Sequence, residues 1–225
     1  MAKPFSDPER AAVYRAIYER RDMRHFTREP VDPALLQRLL DAAHHGPSVG
    51  YMQPWRIARI TDPVLRGALH AAVERERLHT ADALGKRRDE FMKLKVEGML
   101  ECGELLVVAL MDGREKHVFG RRTLPEMDLA SVACAIQNMW LAARAEGIGL
   151  GWVSLFDAGE VAALLRMPTG AKPVAILCVG HVAEFYDEPM LETERWATRL
   201  PLVDCIFENH WPDANAAADS GSADD

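Results

Sequence analysis

Apolar positions along the chain recur with helical spacing in its first third. They then shorten into strand-like runs set between helices. Asp7-Pro8-Glu9 predicts a helix to about Glu19, with an acidic cap, a proline in the first turn and an apolar stripe from Val13, Ile17 and the ring of Tyr14. The stripe ends at Arg20-Arg21-Asp22-Met23-Arg24. Asp32-Pro33 opens a second helix, with Leu35, Leu36, Leu39 and Leu40 at helical spacing, which stops before Gly46-Pro47. A loop from Gly46 to Trp55 leads to a short strand at Ile57–Ile60, and Asp62-Pro63 starts a third helix. Residues 70–100 are charged and helical in character; with few core positions they read as a solvated or mobile cover, a candidate lid. Leu105–Met111 is a strand-type run, and residues 112–126 form a polar loop. Met127 to Glu146 is alanine-rich and apolar on most faces, which predicts a helix buried in the domain or against a partner. Gly147–Ser154 enters a strand, Asp157 to Arg166 is a short helix and Val174–Val179 another buried strand. After His181 the aromatics Phe185, Tyr186, Trp196, Phe207 and Trp211 lack periodicity, and this stretch is expected to drape over another surface.

Helices first and strands scattered between later helices indicate a mixed α+β class. At 225 residues the chain fits one domain, expected over residues 1–212, with a disordered tail over 213–225. Hydrophobic residues make up 48%, enough for a core. The net charge of −7 and pI of about 5.6 disfavour a nucleic-acid partner, so any anionic ligand needs a local basic cluster. Four cysteines, three of them in apolar stretches, form no C-x-x-C pair and suggest neither a disulfide framework nor a zinc site. The N-terminus lacks the apolar core of a signal peptide, and no run approaches membrane-spanning length. A reducing cytoplasm and no membrane partner are the expectation.

Three segments carry candidate chemistry. Arg20, Arg21 and Arg24 place three guanidiniums within five residues, a phosphate-binding pattern or a solvated helix end meeting the dipole. Gly46 to Trp55 reads GPSVGYMQPW. Its glycines and prolines define a fixed turn with exposed backbone donors, Ser48 adds a hydroxyl, and Gln53 an amide suited to a heterocycle edge. An ordinary connection anchored by a buried Trp55 is the alternative. Gly147 to Ser154 reads GIGLGWVS. Its G-x-G-x-G is no dinucleotide fingerprint, because a long helix precedes it and a strand follows. The glycines instead end the helix and let backbone approach a planar ligand. Ser154 then sits at the strand end, in reach of that ligand or as a plain strand serine. His44-His45 point about 100° apart on a helix, His70 and His79 sit on a charged helix, and no metal site is expected.

Taken together, RRDMR (20–24), PSVGYMQPW (47–55) and GIGLGWVSLF (147–156) resemble the motifs of the nitroreductase family in order and spacing, across about residues 20–200. The resemblance implies a nitroreductase-like FMN fold, a central mixed sheet flanked by helices with an extended C-terminal segment, in a homodimer. It implies that Arg20, Arg21 and Arg24 hold the FMN phosphate, and that Met23, Pro47, Ser48, Gly50 and Gln53 line the flavin. Two departures, Asp22 for the usual serine and Tyr51 for the usual asparagine, resemble the branch that makes 5,6-dimethylbenzimidazole. That branch implies functional polar roles for Asp22 and Ser154, and the stretch ERWATRLPL (194–202) suggests Arg199 as a further phosphate contact.

In the reaction so implied, reduced FMN is the substrate. With dioxygen it is broken into 5,6-dimethylbenzimidazole and erythrose 4-phosphate. Asp22, held among phosphate-binding arginines, would be near the ribityl chain, where a carboxylate can accept a proton and a serine cannot. Pairing with a neighbouring arginine is its plainer role. Ser154 would hydrogen-bond the ring or a peroxy intermediate, steering it from simple peroxide loss. NAD(P)H enters only through a separate flavin reductase. The competing readings are an NAD(P)H-dependent FMN oxidoreductase that recycles its flavin, and a non-catalytic FMN-binding dimer.

Overall fold

In the computed structural model, which describes residues 3–211, the alternation of two burial faces along one strand organises the chain. Strand β2 (Glu104–Leu110) is buried at every position. Leu106, Val108 and Leu110 join one core and Leu105 and Val107 the other, so an unbroken apolar run still obeys the two-residue period of a strand. Helices α2 (Pro33–His44) and α5 (Met127–Ala145) supply Leu36, Leu39, Val132, Ile136 and Met139 to the first core. Helices α3 (Pro63–Ala83) and α6 (Ala158–Leu164) supply Leu69, Val73 and Val161 to the second. The sheet runs β1 (Trp55–Arg59), β2, β4 (Lys172–Gly180), β3 (Gly149–Val153), every pair antiparallel. Among the described residues the one parallel pairing is an isolated bridge between Asp22 and Leu150. The β2–β4 register shifts between Val108 and Ala109, where Ala109 faces Pro173, a residue with no N–H to give the ladder.

Local signals account for most boundaries. Helix α1 (Asp7–Glu19) has a capping box in which the Glu9 carboxylate accepts from the Ser6 main chain and hydroxyl. Asp32, Asp62 and Asp157 cap α2, α3 and α6 by accepting from main-chain N–H groups. Gly147, at φ 73°, follows α5 in the left-handed region. The charged stretch 70–100 carries more core than its composition suggests. Ala72, Val73, Ala81, Phe91, Leu94 and Met99 are buried, on α3, on the short α4 (Arg88–Lys93) and in the segment after it. The stripe of α1 has the opposite fate: the helix buries no residue, and Val13, Tyr14, Ile17 and Tyr18 are 41–70% exposed. Cys102 and Cys178 are buried free thiols, while Cys134 and Cys205 are exposed.

The chain forms two compact units, one ending at Asp187 and one beginning at Glu188. The second contains the one-turn helix α7 (Met190–Thr193) and a tight turn at Leu202–Cys205. The tail expected over 213–225 lies outside the described residues. Among the described residues no helix is long and apolar enough to cross a membrane.

Candidate active site

The segment after α1 lies along the outer edge of β3. The Met23 N–H donates to the Leu150 carbonyl at 3.0 Å, and Met23 itself is fully buried. Extended backbone alternates its side chains, which puts Arg20, Asp22 and Arg24 on one face and Arg21 and Met23 on the other. The Asp22 carboxylate is held from two sides. Its Oδ1 accepts from the Trp152 N–H at 2.8 Å, and its Oδ2 accepts from Arg24 Nη2 at 2.6 Å. The same Nη2 donates to the Trp152 carbonyl at 2.9 Å. Burial raises the Asp22 carboxyl above its ordinary range, partly offset by the Arg24 guanidinium, the Trp152 N–H and the charge of Arg20.

Helix α5 holds this segment in place. Trp140 donates its indole N–H to the Arg21 carbonyl at 3.0 Å, and its ring lies 4.6 Å from the Arg20 guanidinium carbon. One turn later Arg144 pairs with Glu19, the last residue of α1. Arg21 turns away from Asp22 and donates to the carbonyls of Tyr18, Arg20 and Asp187. The Arg24 N–H donates to the Tyr186 hydroxyl at 3.1 Å. Two buried donors, Arg21 Nε and Arg24 Nη1, have no hydrogen-bond partner among the described residues.

The loop 46–55 is built from within and from α5. Ser48 Oγ accepts from the Gln53 N–H at 3.0 Å. Ser131, on α5, accepts from the Val49 N–H at 3.0 Å and donates to the Met127 carbonyl. Gly50, Tyr51 and Gln53 all have φ near +50°, so the turn holds three residues in the left-handed region. Pro47 and Tyr51 are exposed and Gln53 is half-buried. Trp55 is buried and donates to His44 Nδ1 at 3.2 Å. Ser154 is exposed, one residue beyond β3 and two beyond Trp152, within about 7 Å along the chain.

Two glycines expected to face a ligand meet the chain instead. A Cβ at Gly151 would fall 2.1 Å from the Met23 carbonyl oxygen and 2.9 Å from Arg24 Nη1. One at Gly149 would fall 2.4 Å from Val182 Cγ1 and 3.3 Å from Met23 Cβ. These glycines let the arginine segment lie against β3, a long-range contact that spacing along the chain cannot reveal.

A family model described as the nitroreductase family matches residues 17–181. The chain belongs to the nitroreductase family. Within that family, 5,6-dimethylbenzimidazole synthase from Rhodospirillum rubrum is 39% identical over 202 residues, covering 88% of this chain and 95% of that protein. The synthase of the same name from Rhodobacter capsulatus is 37% identical over 200 residues, covering 88% and 96%. A solved BluB-like flavoprotein from Clostridium difficile 630 shares the nitroreductase fold at TM-score 0.65 and 18% identity, over 87% of this chain and 97% of that one.

The nitroreductase match contains all three motifs and stops before Arg199. That residue lies in the second unit, with its side chain 78% exposed and 3.9 Å from the Glu192 carboxylate. Four residues that organise this candidate site, Ser131, Trp140, Trp152 and Tyr186, have no role assigned from the sequence. They act on neighbours 82–162 positions away, and of the four only Trp152 falls within a motif.

Proposed function

We propose that the chain carries out the oxygen-dependent fragmentation of reduced FMN, releasing 5,6-dimethylbenzimidazole, the lower ligand of vitamin B12, and erythrose 4-phosphate. The observation that carries this reading is the Asp22 carboxylate, set on the face it shares with Arg20 and Arg24 and held by the Trp152 N–H. The name shared by relatives 37–39% identical over nearly their whole length supports it.

The residues fit a flavin phosphate. The guanidiniums of Arg20, Arg21 and Arg24 bring three positive charges within five residues, the charge a phosphate needs, and Arg20 and Arg24 share the face on which Asp22 lies. Pro47, Ser48, Gly50 and Gln53 frame the ring, with the Ser48 hydroxyl accepting from the Gln53 N–H. Met23 serves through its main chain, because its side chain is buried in the first unit. Reduced FMN supplies the electrons for dioxygen; the dimethylbenzene half of its ring is kept in the product, the first ribityl carbon becomes the carbon between the two nitrogens, and the remaining pyrimidine half is lost. Asp22 takes a proton from the sugar carbon next to the ring; its raised affinity for protons suits that task at neutral pH. Ser154 donates to the ring, and residues 70–100 exclude water from it.

The enzyme works in the cytoplasm as a homodimer, since the exposed stripe Val13, Tyr14, Ile17 and Tyr18 is the kind of patch a second copy covers. Its reduced flavin comes from a separate NAD(P)H-dependent reductase. The deciding experiment adds reduced FMN to the chain in air and follows products by mass spectrometry. Dimethylbenzimidazole formed in step with FMN loss supports the proposal. Intact FMN with rapid NADH oxidation replaces it with a recycling oxidoreductase, and intact FMN without turnover replaces it with a binding protein.

A further inference from the structure

The stretch 63–100 holds a group of side chains that the flavin reaction does not use. His70 and Glu74 stand one turn apart on α3 and share a face. Glu97, in the segment after α4, reaches the same place: its Oε1 lies 3.6 Å from His70 Nε2. One ligand atom from each of the three residues lies within 4.8 Å of the other two. Two ligands at about 2.1 Å from a tetrahedral ion stand about 3.4 Å apart. The His70–Glu97 separation matches one edge of that polyhedron, and a Glu74 oxygen lies within 4.8 Å of both partner atoms.

The surroundings leave these atoms available. The second Glu97 oxygen accepts from the Met99 N–H, which orients the carboxylate with Oε1 toward His70. Arg77 Nη1 lies 3.5 Å from both Glu74 oxygens, but its Nη2 is bound to the carbonyls of Met92 at 2.8 Å and Leu94 at 3.0 Å. Its hold on Glu74 is therefore long. The three side chains are 14–35% exposed, open enough for an ion to enter and sheltered enough to hold it.

We infer that His70, Glu74 and Glu97 bind a divalent first-row transition ion, with zinc as the reference. Two carboxylates balance its charge, and the imidazole favours zinc-like ions over calcium or magnesium. Three protein ligands leave one position for water. The ion ties α3 to the segment that ends at Gly98. A Cβ at Gly98 would fall 2.7 Å from the Arg24 carbonyl oxygen and 2.5 Å from the Phe26 ring. Metal at this position braces the wall behind the arginine segment and takes no part in the flavin reaction.

The test uses the untagged full chain, stripped with chelator and titrated with zinc by calorimetry and with cobalt by visible absorption. One equivalent should bind at micromolar or lower concentration. His70→Asn, Glu74→Gln and Glu97→Gln should each weaken binding more than the roughly 10–100-fold that loss of an outer-shell partner costs. Metal-free unfolding temperatures of the His70 and Glu74 variants should match the unsubstituted chain, while the rise on adding zinc is lost. A wild-type chain that binds neither ion at millimolar concentration overturns the site and leaves a plain His–Glu contact. Undiminished binding in any one variant overturns the three-ligand assignment.

Discussion

Asp22→Asn keeps the shape of the side chain and removes its charge. The amide oxygen can still accept from the Trp152 N–H, now at 2.8 Å. The amide nitrogen then meets Arg24 Nη2, which sits 2.6 Å from Oδ2, so two donors face each other. A hydrogen bond to a charged group contributes about 1.5–3 kcal/mol. Arg24 is buried, but the Asp22 side chain is 42% exposed, so water replaces part of the loss and the lower end of that range applies. About 1.5 kcal/mol corresponds to a fall of roughly 3–6 °C in Tm for a chain of this size. The chemical effect should be larger. Removing a general base costs about 10²–10⁴ in rate, or about 2.7–5.4 kcal/mol at 1.36 kcal/mol per tenfold. Single-turnover mixing of reduced FMN with air-saturated buffer measures dimethylbenzimidazole formation, and fluorescence quenching measures FMN affinity. The reasoning requires near-normal affinity with product formation slowed at least about a hundredfold. Turnover within a few-fold of wild type refutes Asp22 as proton acceptor. Affinity lost in parallel with turnover would instead make Asp22 a support for Arg24.

Gly151→Ala places a Cβ against the Met23 carbonyl at 2.1 Å and should destabilise the chain by about 1–3 kcal/mol, read as a lowered Tm; an unchanged Tm would show that the two strands separate freely. Trp140→Phe removes the hydrogen bond to the Arg21 carbonyl but keeps a ring beside Arg20, so FMN affinity should fall about fivefold, for about 1 kcal/mol, and further in Trp140→Leu. Equal affinity in both variants would detach α5 from the arginine segment. The raised Asp22 carboxyl binds its proton more tightly in the folded chain than in the unfolded one. Its contribution therefore favours folding below its usual 3.8 and is lost as pH rises through its elevated folded value. The wild-type unfolding free energy, less that of Asp22→Asn, should fall across that window by chemical denaturation; a flat or rising difference is the refuting result.

Much of this fold was legible in the chain because its signals are local. Aspartate caps before proline mark the starts of α2 and α3, and alanine-rich periodicity marks α5. The short apolar runs mark β2 and β4, and three motifs in order identify the family. The charged stretch 70–100 hides its buried positions, because a helix needs only one residue in three or four to join a core, and Val73 does so. The sequence by itself determined which residue types lie within a few positions of one another: three arginines around one aspartate, and a turn rich in glycine and proline. It also determined that the chain alternates helix and strand. Only the tertiary structure decided which donors those arginines keep, since Trp152 and Asp187 take them from more than a hundred residues away. It alone gave Gly149 and Gly151 to the packing of the arginine segment, and brought His70 and Glu74 to Glu97. The physical reason is the same each time. Local periodicity follows from backbone geometry, which every residue carries with it, whereas a contact between distant segments exists only once the sheet has brought them together.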